Sequence, residues 1–291
     1  MSSDLVFWLA LAVELALTAG IVVTASVVTE RAGPLIGALV MTLPVTVWPA
    51  YLFLALDHDK AFLAESAIGG LAVNAVNGIF MVVYAALARR RSLSVSLLIA
   101  LACWIILAAA ARTISWTMML AVYVNLVVFP ICLWVGSGFC AIVMPPTVRR
   151  WYDVPLRTVL VCVLMATILL ISNLVGPLAT GFVAVFPIST TSTMLILQPR
   201  IGGRASAAVI ANGLFGLAGI GAGLTALYIS LKPLGIVPAL VLALIVPVTW
   251  NLTVWAVRTR GVFFCRRPAH GSTHTIDSVS TRSSEVIRAK N

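Results

Sequence analysis

Long apolar segments separated by short polar loops constrain this chain more than any other feature of its sequence. A helix needs about 20 apolar residues to cross the hydrocarbon core of a bilayer, and it satisfies its backbone hydrogen bonds there internally. Only 10% of the residues are charged and 61% are hydrophobic, a composition far from that of soluble domains. We therefore predict an all-α integral membrane protein. Its nine predicted spans are residues 6–28, 33–56, 62–88, 93–111, 116–144, 155–172, 176–197, 204–230 and 234–257.

The basic residues set the predicted orientation. With the N-terminus outside and the C-terminus cytoplasmic, thirteen basic residues fall on the inner side and three on the outer side, as the positive-inside rule requires. Splitting the fifth span in two would give ten spans and would put one group of arginines on the wrong side of the membrane. The charges therefore favour nine spans. Whether the fifth span is one helix or two stays open. The inner set is Arg31, Arg89, Arg90, Arg91, Arg149, Arg150, Arg157, Arg200, Arg204, Arg258, Arg260, Arg266 and Arg267.

Two proline-centred segments repeat at a constant offset, and a second match follows each of them. Spans 1–4 therefore correspond to spans 6–9, and because span 2 and span 7 cross in opposite directions, the two repeats are inverted in the membrane. The alternative is a duplication kept only for folding, in which Gly-Pro marks helix starts. The matched residues are Pro34 with Pro177, Pro44 with Pro187, Thr46 with Ser189, and Asn77–Phe80 with Asn212–Phe215.

The repeat divides the chain into four regions. Residues 1–114 form the first repeat, and residues 115–150 form a linking helix and a cytoplasmic loop. Residues 151–258 form the second, inverted repeat. Residues 259–291 are polar and rich in serine and threonine, so we predict a disordered cytoplasmic tail.

A Pro-hydroxyl pair in an apolar segment, followed by a short polar loop, is the pattern of residues 35–37, 43–46 and 54–57. With this pattern each half resembles the small GlpM-type bacterial inner-membrane proteins, over spans 1–4 and more weakly over spans 6–9. The resemblance implies a bacterial inner-membrane protein with a duplicated half. It implies no substrate, because that family has no well-defined biochemical activity.

The matched prolines inside apolar spans predict a binding site where the repeats meet. Proline in a helix removes one hydrogen bond and frees a carbonyl, and paired interrupted helices form the central site of many secondary transporters. The alternative is structural: the hydroxyls bond to their own helix carbonyls, and the asparagines hold the repeats together. The predicted substrate-binding residues are Pro44, Thr46, Asn77, Pro187, Ser189, Thr190, Thr191 and Asn212.

Glu14 is the predicted proton-coupling residue. It lies about eight residues into the first span, which places it ~12 Å deep at ~1.5 Å per residue, near the middle of a ~30 Å core. A carboxylate is costly at that depth, so we expect the side chain to be protonated. The alternative is a neutral glutamate that only packs against a neighbouring helix.

The sequence therefore predicts a secondary active transporter of a small organic solute, anionic or zwitterionic, that works by alternating access. The expected coupling ion is H⁺ or Na⁺, with no other cofactor and no metal site. The expected partners are membrane lipids and the solute, without nucleic acid, and a homodimer is compatible with the sequence. We predict no enzymatic activity, because nucleophile-elbow, metalloprotease and nucleotide-binding motifs are missing. The alternative is a non-transporting scaffold or envelope-biogenesis factor, and uptake and efflux stay equally open.

Overall fold

The computed structural model describes Leu9 and residues 12–24, 47–139 and 152–260. Every regular element in these ranges is an α-helix and none is a strand, which confirms the all-α prediction. In chain order the helices are α1 (Ala12–Thr24), α2 (Val47–Asp57), α3 (Lys60–Ala88), α4 (Leu93–Ala111), α5 (Met118–Gly136), α6 (Asp153–Val175), α7 (Pro177–Ala184), α8 (Ile188–Leu234) and α9 (Ile236–Thr259).

Six helical stretches in the described ranges are long and apolar enough to cross a membrane. They are α3, α4, α5, most of α6, the combined α7–α8 stretch Pro177–Leu234, and α9. This number is lower than the predicted nine for two reasons. α1 and α2 are shorter apolar helices, and residues 25–46 between them, with the predicted site residues Pro44 and Thr46, lie outside the described ranges. The α7–α8 stretch, in turn, covers both predicted spans 7 and 8.

α3 is the central helix. In its most apolar window 72% of the residues are buried, whereas that share is 17–28% in α4, α5, α6 and α9. The N-terminus of α3 is capped by Asp59, whose carboxylate accepts a hydrogen bond of 2.9 Å from the Phe62 N–H, so one of the free first-turn amides is satisfied. The outer helices present large apolar side chains outward, as a lipid-facing surface does.

The backbone breaks twice between the start of α7 and the end of α8. Residues 185–187 leave helical geometry between α7 and α8, so the predicted interruption at Pro187 is confirmed. The second break is at Gly202, whose φ of +79° favours glycine because that residue has no Cβ. We call residues 188–201 α8a and residues 203–234 α8b.

α8a runs parallel to α3. Asn77 on α3 contacts Val185 at the first break, and Tyr84, two turns further along α3, contacts Gln198 near the end of α8a. The contacts therefore advance in the same direction along both segments.

α8b runs antiparallel to α3. Tyr84 contacts Ser206 at the start of α8b, and Asn74, which precedes Tyr84 on α3, contacts Leu217 further along α8b. The chain thus reverses at Gly202, and α3 packs against both arms of the reversed pair. This reversal agrees with the division of the stretch into predicted spans 7 and 8.

Two glycines bring these segments into direct contact with the α3 backbone. A Cβ added at Gly181 on α7 would overlap the Ser66 carbonyl, and one added at Gly203 would overlap the Ala88 carbonyl. Small residues let helix backbones approach closely in membranes. The position of α7 and α8b on α3 therefore depends on the lack of side chains at these two residues.

α5 is one helix that continues through Pro130 within residues 118–136. It does more than connect the two halves, because Asn125 enters the core and is only 8% exposed. Its last residue, Gly136, packs against Leu214 of α8b. The predicted linking helix is thus part of the bundle.

Candidate functional site

Val185, Phe186 and Pro187 form the helix break. Proline has no N–H to bond the Val183 carbonyl, and the Phe186 N–H takes that acceptor instead at 3.0 Å. The Ile188 N–H then bonds back to the Phe186 carbonyl at 2.7 Å. This tight turn directs the Val185 carbonyl sideways out of the helix, toward α3.

Asn77 and Trp104 clamp the helix break. The Asn77 Nδ2 donates to the Val185 carbonyl at 2.7 Å, and the Asn77 Oδ1 accepts from the Trp104 Nε1 at 2.7 Å. The Trp104 ring also meets Phe186 edge-on, with ring centroids 4.8 Å apart. Asn77, a predicted substrate-binding residue, is 2% exposed and uses both ends of its amide to hold the break.

Five consecutive hydroxyl residues, Ser189–Thr193, occupy the first turns of α8a. The hydroxyls of Ser192 and Thr193 both donate to the Ser189 carbonyl at 2.8 Å. These two hydroxyls therefore bond to a carbonyl of their own helix, as the structural alternative predicts. Thr191 is buried, and its hydroxyl has no hydrogen-bond partner among the described residues. Ser189 and Thr190 are half-buried. The segment therefore mixes satisfied hydroxyls with accessible ones.

Arg157 reaches this hydroxyl segment from α6. Its Nη2 donates to the Thr193 hydroxyl at 3.0 Å. The sequence assigned Arg157 to the cytoplasmic charges that set orientation, and so missed it as a site residue. Its place inside predicted span 6, after Pro155, was the signal that could have identified it.

A second contact between α6 and α8a lies closer to Gly202. The guanidinium of Arg200 pairs with both carboxylate oxygens of Asp153, and the two side chains are only 12% and 14% exposed. Arg200 also lies over the Tyr152 ring, 5.5 Å from its centroid. We call the line of contact through Asp153–Arg200 and Arg157–Thr193 the α6–α8a seam.

A buried network joins α3 to both arms of α8 at the same end. The Tyr84 hydroxyl donates to Gln198 Oε1 at 2.8 Å and lies 2.9 Å from the Ser206 hydroxyl. Gln198 Nε2 in turn donates to the Arg91 carbonyl at 3.2 Å. The sequence did not predict this network, because its members are far apart along the chain and match no motif.

A pair of asparagines links α3 to α5 and α8b. Asn74 Nδ2 donates to Asn125 Oδ1 at 3.0 Å and to the Leu217 carbonyl at 3.2 Å. Asn125 Nδ2 donates to the Leu71 carbonyl at 2.7 Å. The Asn74 Oδ1 has no partner within the described ranges, so this polar contact is incompletely satisfied.

Asn212 does not join the helix break. Its Nδ2 donates to the Ala208 carbonyl of its own helix at 2.8 Å, and the residue is half-buried on α8b. The two matched asparagines therefore have different partners in the structure.

Glu14 is half-buried on α1. The like-charged Asp57 at the end of α2 interacts electrostatically with it. Within the described parts of the chain, no hydrogen bond or ion pair joins its carboxylate to the helix break. The described residues thus show no direct bond between Glu14 and the predicted substrate-binding residues, of which Pro44 and Thr46 lie outside the described ranges.

In the loop between α2 and α3, His58 contacts α3 and α6. His58 stacks on Phe62 with ring centroids 3.7 Å apart, and its Nε2 lies 3.1 Å from the Ser172 hydroxyl. No group of three side chains suited to a metal ion occurs among residues 12–24, 47–139 and 152–260.

No protein-family model matches the chain, and no characterised protein or solved structure is significantly similar to it. The resemblance to GlpM-type proteins therefore stays a prediction.

Proposed function

We propose that this protein is a secondary active transporter that carries a small organic solute, anionic or zwitterionic, by alternating access. The observation that carries the proposal is the helix break at residues 185–187, which lies inside an apolar bundle beside half-buried hydroxyls. Broken helices at membrane depth are tolerated only against protein or a polar cavity, and they supply the central sites of many transporters.

The proposal includes nine spans in two inverted repeats, with α3 and α8b as the third helix of each. Two tryptophans in the fourth helices support it. Trp104 on α4 donates to Asn77 on α3 at 2.7 Å, and Trp250 on α9 donates to the Phe215 carbonyl on α8b at 2.8 Å. Each repeat thus bonds its fourth helix to its third through an indole N–H. The antiparallel packing of α3 and α8b is also what inverted repeats require.

In this mechanism α8a is the moving part. It is bounded by two non-helical points, the helix break and Gly202, which absorb rotation of the segment between them. Glu14 couples protons in the proposal, since a carboxyl group inside a membrane helix is a functional candidate. Na⁺ is the alternative coupling ion.

Transport is tested by reconstituting the purified protein into proteoliposomes with an inward proton gradient. Small carboxylates, phosphate esters and amino acids are offered one at a time, and uptake or solute-evoked current is recorded. We expect at least one of them to be carried. A protein that carries none under gradients of either direction would contradict transport.

The Glu14→Gln substitution tests the coupling role. We expect the variant to fold and to lose proton-driven accumulation of the solute, because glutamine cannot release a proton. Glu65→Gln is the matched control, since Glu65 is an exposed carboxylate on α3. Full proton-driven flux in Glu14→Gln would rule out this role for Glu14.

A non-transporting scaffold is the second candidate. It is favoured by the saturation of the Asn77–Trp104 clamp, whose amide has protein partners at both ends. A scaffold would stabilise its helices with such bonds and would bind no solute at the break. The flux screen distinguishes the two candidates.

A further inference from the structure

Arg157 is turned inward along the α6–α8a seam. Its side chain is half-buried, and it contacts Thr193, which lies ~12 Å from the Gly202 end of α8a at ~1.5 Å per residue. An arginine near the end of a membrane helix ordinarily extends toward the interface. The inward orientation of Arg157 toward a hydroxyl-rich segment therefore calls for a functional explanation.

Ser189 and Thr190 lie one helical turn from Thr193, on the side of the helix break. Residues three and four apart share a helix face, so their hydroxyls lie on the face that Arg157 contacts. Both residues are half-buried, and within the described ranges their hydroxyls have no hydrogen-bond partner. The first-turn N–H groups of α8a add a positive dipole end at the same place.

We propose that Arg157, together with the Ser189 and Thr190 hydroxyls, binds the anionic group of the transported solute. The inference rests on the proposed transport function and names the residues that recognise the charge. A guanidinium donates parallel N–H bonds to carboxylate and phosphate oxygens, and the hydroxyls donate to the same oxygens. Thr193 holds the guanidinium in place beside them.

The Asp153–Arg200 pair supports this assignment, because it joins α6 to α8a between the proposed site and Gly202. Both side chains are mostly buried, at 12% and 14% exposed, and they lie between the proposed site and the Gly202 end of α8a. Electrostatic contacts are stronger where water is excluded.

Thermal unfolding of the purified full-length protein tests the site. The probes are succinate, acetate and inorganic phosphate, compared at equal ionic strength with chloride and with the uncharged amides succinamide and acetamide. We expect at least one oxyanion to raise the unfolding temperature of the wild type above its controls, because a ligand that binds the folded state stabilises it.

Arg157→Gln is expected to weaken that oxyanion's apparent affinity by about tenfold or more, as loss of a charge-assisted contact predicts. Arg157→Lys should retain part of it, which also guards against a variant that misfolds. Arg204→Gln is the matched control, since Arg204 is exposed on α8b, and it should bind as the wild type does. No oxyanion effect in the wild type, or an undiminished effect in Arg157→Gln, would overturn the inference.

The flux assay separates this inference from the proposed function. Oxyanion binding that depends on Arg157 without any flux would leave the site standing and remove the transport proposal. Flux of a solute that Arg157→Gln does not impair would leave transport standing and remove the site.

Discussion

Asn77 and Asn212 are matched in the two predicted repeats but differ in what their amides bind. Asn77 bridges three segments, since it bonds the helix break on one side and α4 on the other. Among the described residues, Asn212 bonds only the Ala208 carbonyl of its own helix. A buried polar group that loses its partner costs more free energy than a partly exposed one.

Asn77→Ala is expected to lower the free energy of unfolding by about 1–3 kcal/mol, because the Val185 carbonyl and the Trp104 N–H both lose their partner. Asn212→Ala should cost less than about 1 kcal/mol, since its amide makes one bond within α8b. Denaturant titration in detergent micelles measures both. Equal losses would contradict the clamp.

The roles of Arg157 and Tyr84 could not be predicted from the sequence. The proline that breaks the helix was predictable because its missing N–H is a local property. The role of Arg157 depends on which way its side chain turns, and that of Tyr84 on Gln198 and Ser206, which lie 114 and 122 residues away. Such contacts are set by tertiary packing, which no pattern within one segment encodes.

At the scale of the helices, the backbones of α3 and α8b are in direct contact. The contact at Gly203 faces the Ala88 carbonyl, next to the left-handed residue that reverses the chain. Neither partner is a flexible side chain, so neither can move aside easily. Added volume there must separate the two helices.

Gly203→Ala is expected to lower the free energy of unfolding by about 1–3 kcal/mol through overpacking. Gly20→Ala is the matched control, because no atom of the described residues lies within 4 Å of a Cβ added at that α1 residue. Alanine favours helix over glycine by up to about 1 kcal/mol, so the control should be neutral or stabilising. Unfolding curves that coincide for the two variants would show that the close contact is unimportant.

The Asp153–Arg200 pair joins α6 to α8a, and its burial lies between that of surface and core ion pairs. Asp153→Asn or Arg200→Gln should each cost about 1–3 kcal/mol, between the values for those two classes. The double variant should cost less than the sum of both, which a double-mutant cycle detects. Additive losses would mean that the two side chains do not stabilise each other.

Across the whole molecule, hydropathy predicted where the helices lie along the sequence, but not which helices pack against each other. Predicted spans 62–88 and 155–172 correspond to Lys60–Ala88 and Asp153–Val175, because a helix must match the bilayer thickness. The insertion of Asn125 into the core was not predicted, since we expected α5 to be a linking helix. Its partner Asn74 belongs to another helix, so the pairing exists only once the bundle has formed.

The proposed nine-span topology places Asp57 outside and Arg260 inside. Cysteine is introduced at either position in a variant without the five native cysteines, and a membrane-impermeant thiol reagent is applied to intact spheroplasts of a bacterial expression host. Asp57→Cys should react directly, and Arg260→Cys only after permeabilisation. Arg90→Cys should behave as Arg260→Cys does. Labelling of residues 57 and 260 from the same side would refute this topology, which places seven spans between them.

The central position of α3 has a consequence for synthesis at the ribosome. Its Asn77 bonds Val185, 108 residues later in the chain, which takes on the order of 5–20 s to emerge at about 5–20 residues per second. Trp104, only 27 residues after Asn77, arrives well before that. Asn125 follows 51 residues after Asn74, so it also emerges before α8. We therefore expect α4 and α5 to pack on α3 first and to give its asparagine amides partners before α8 is made.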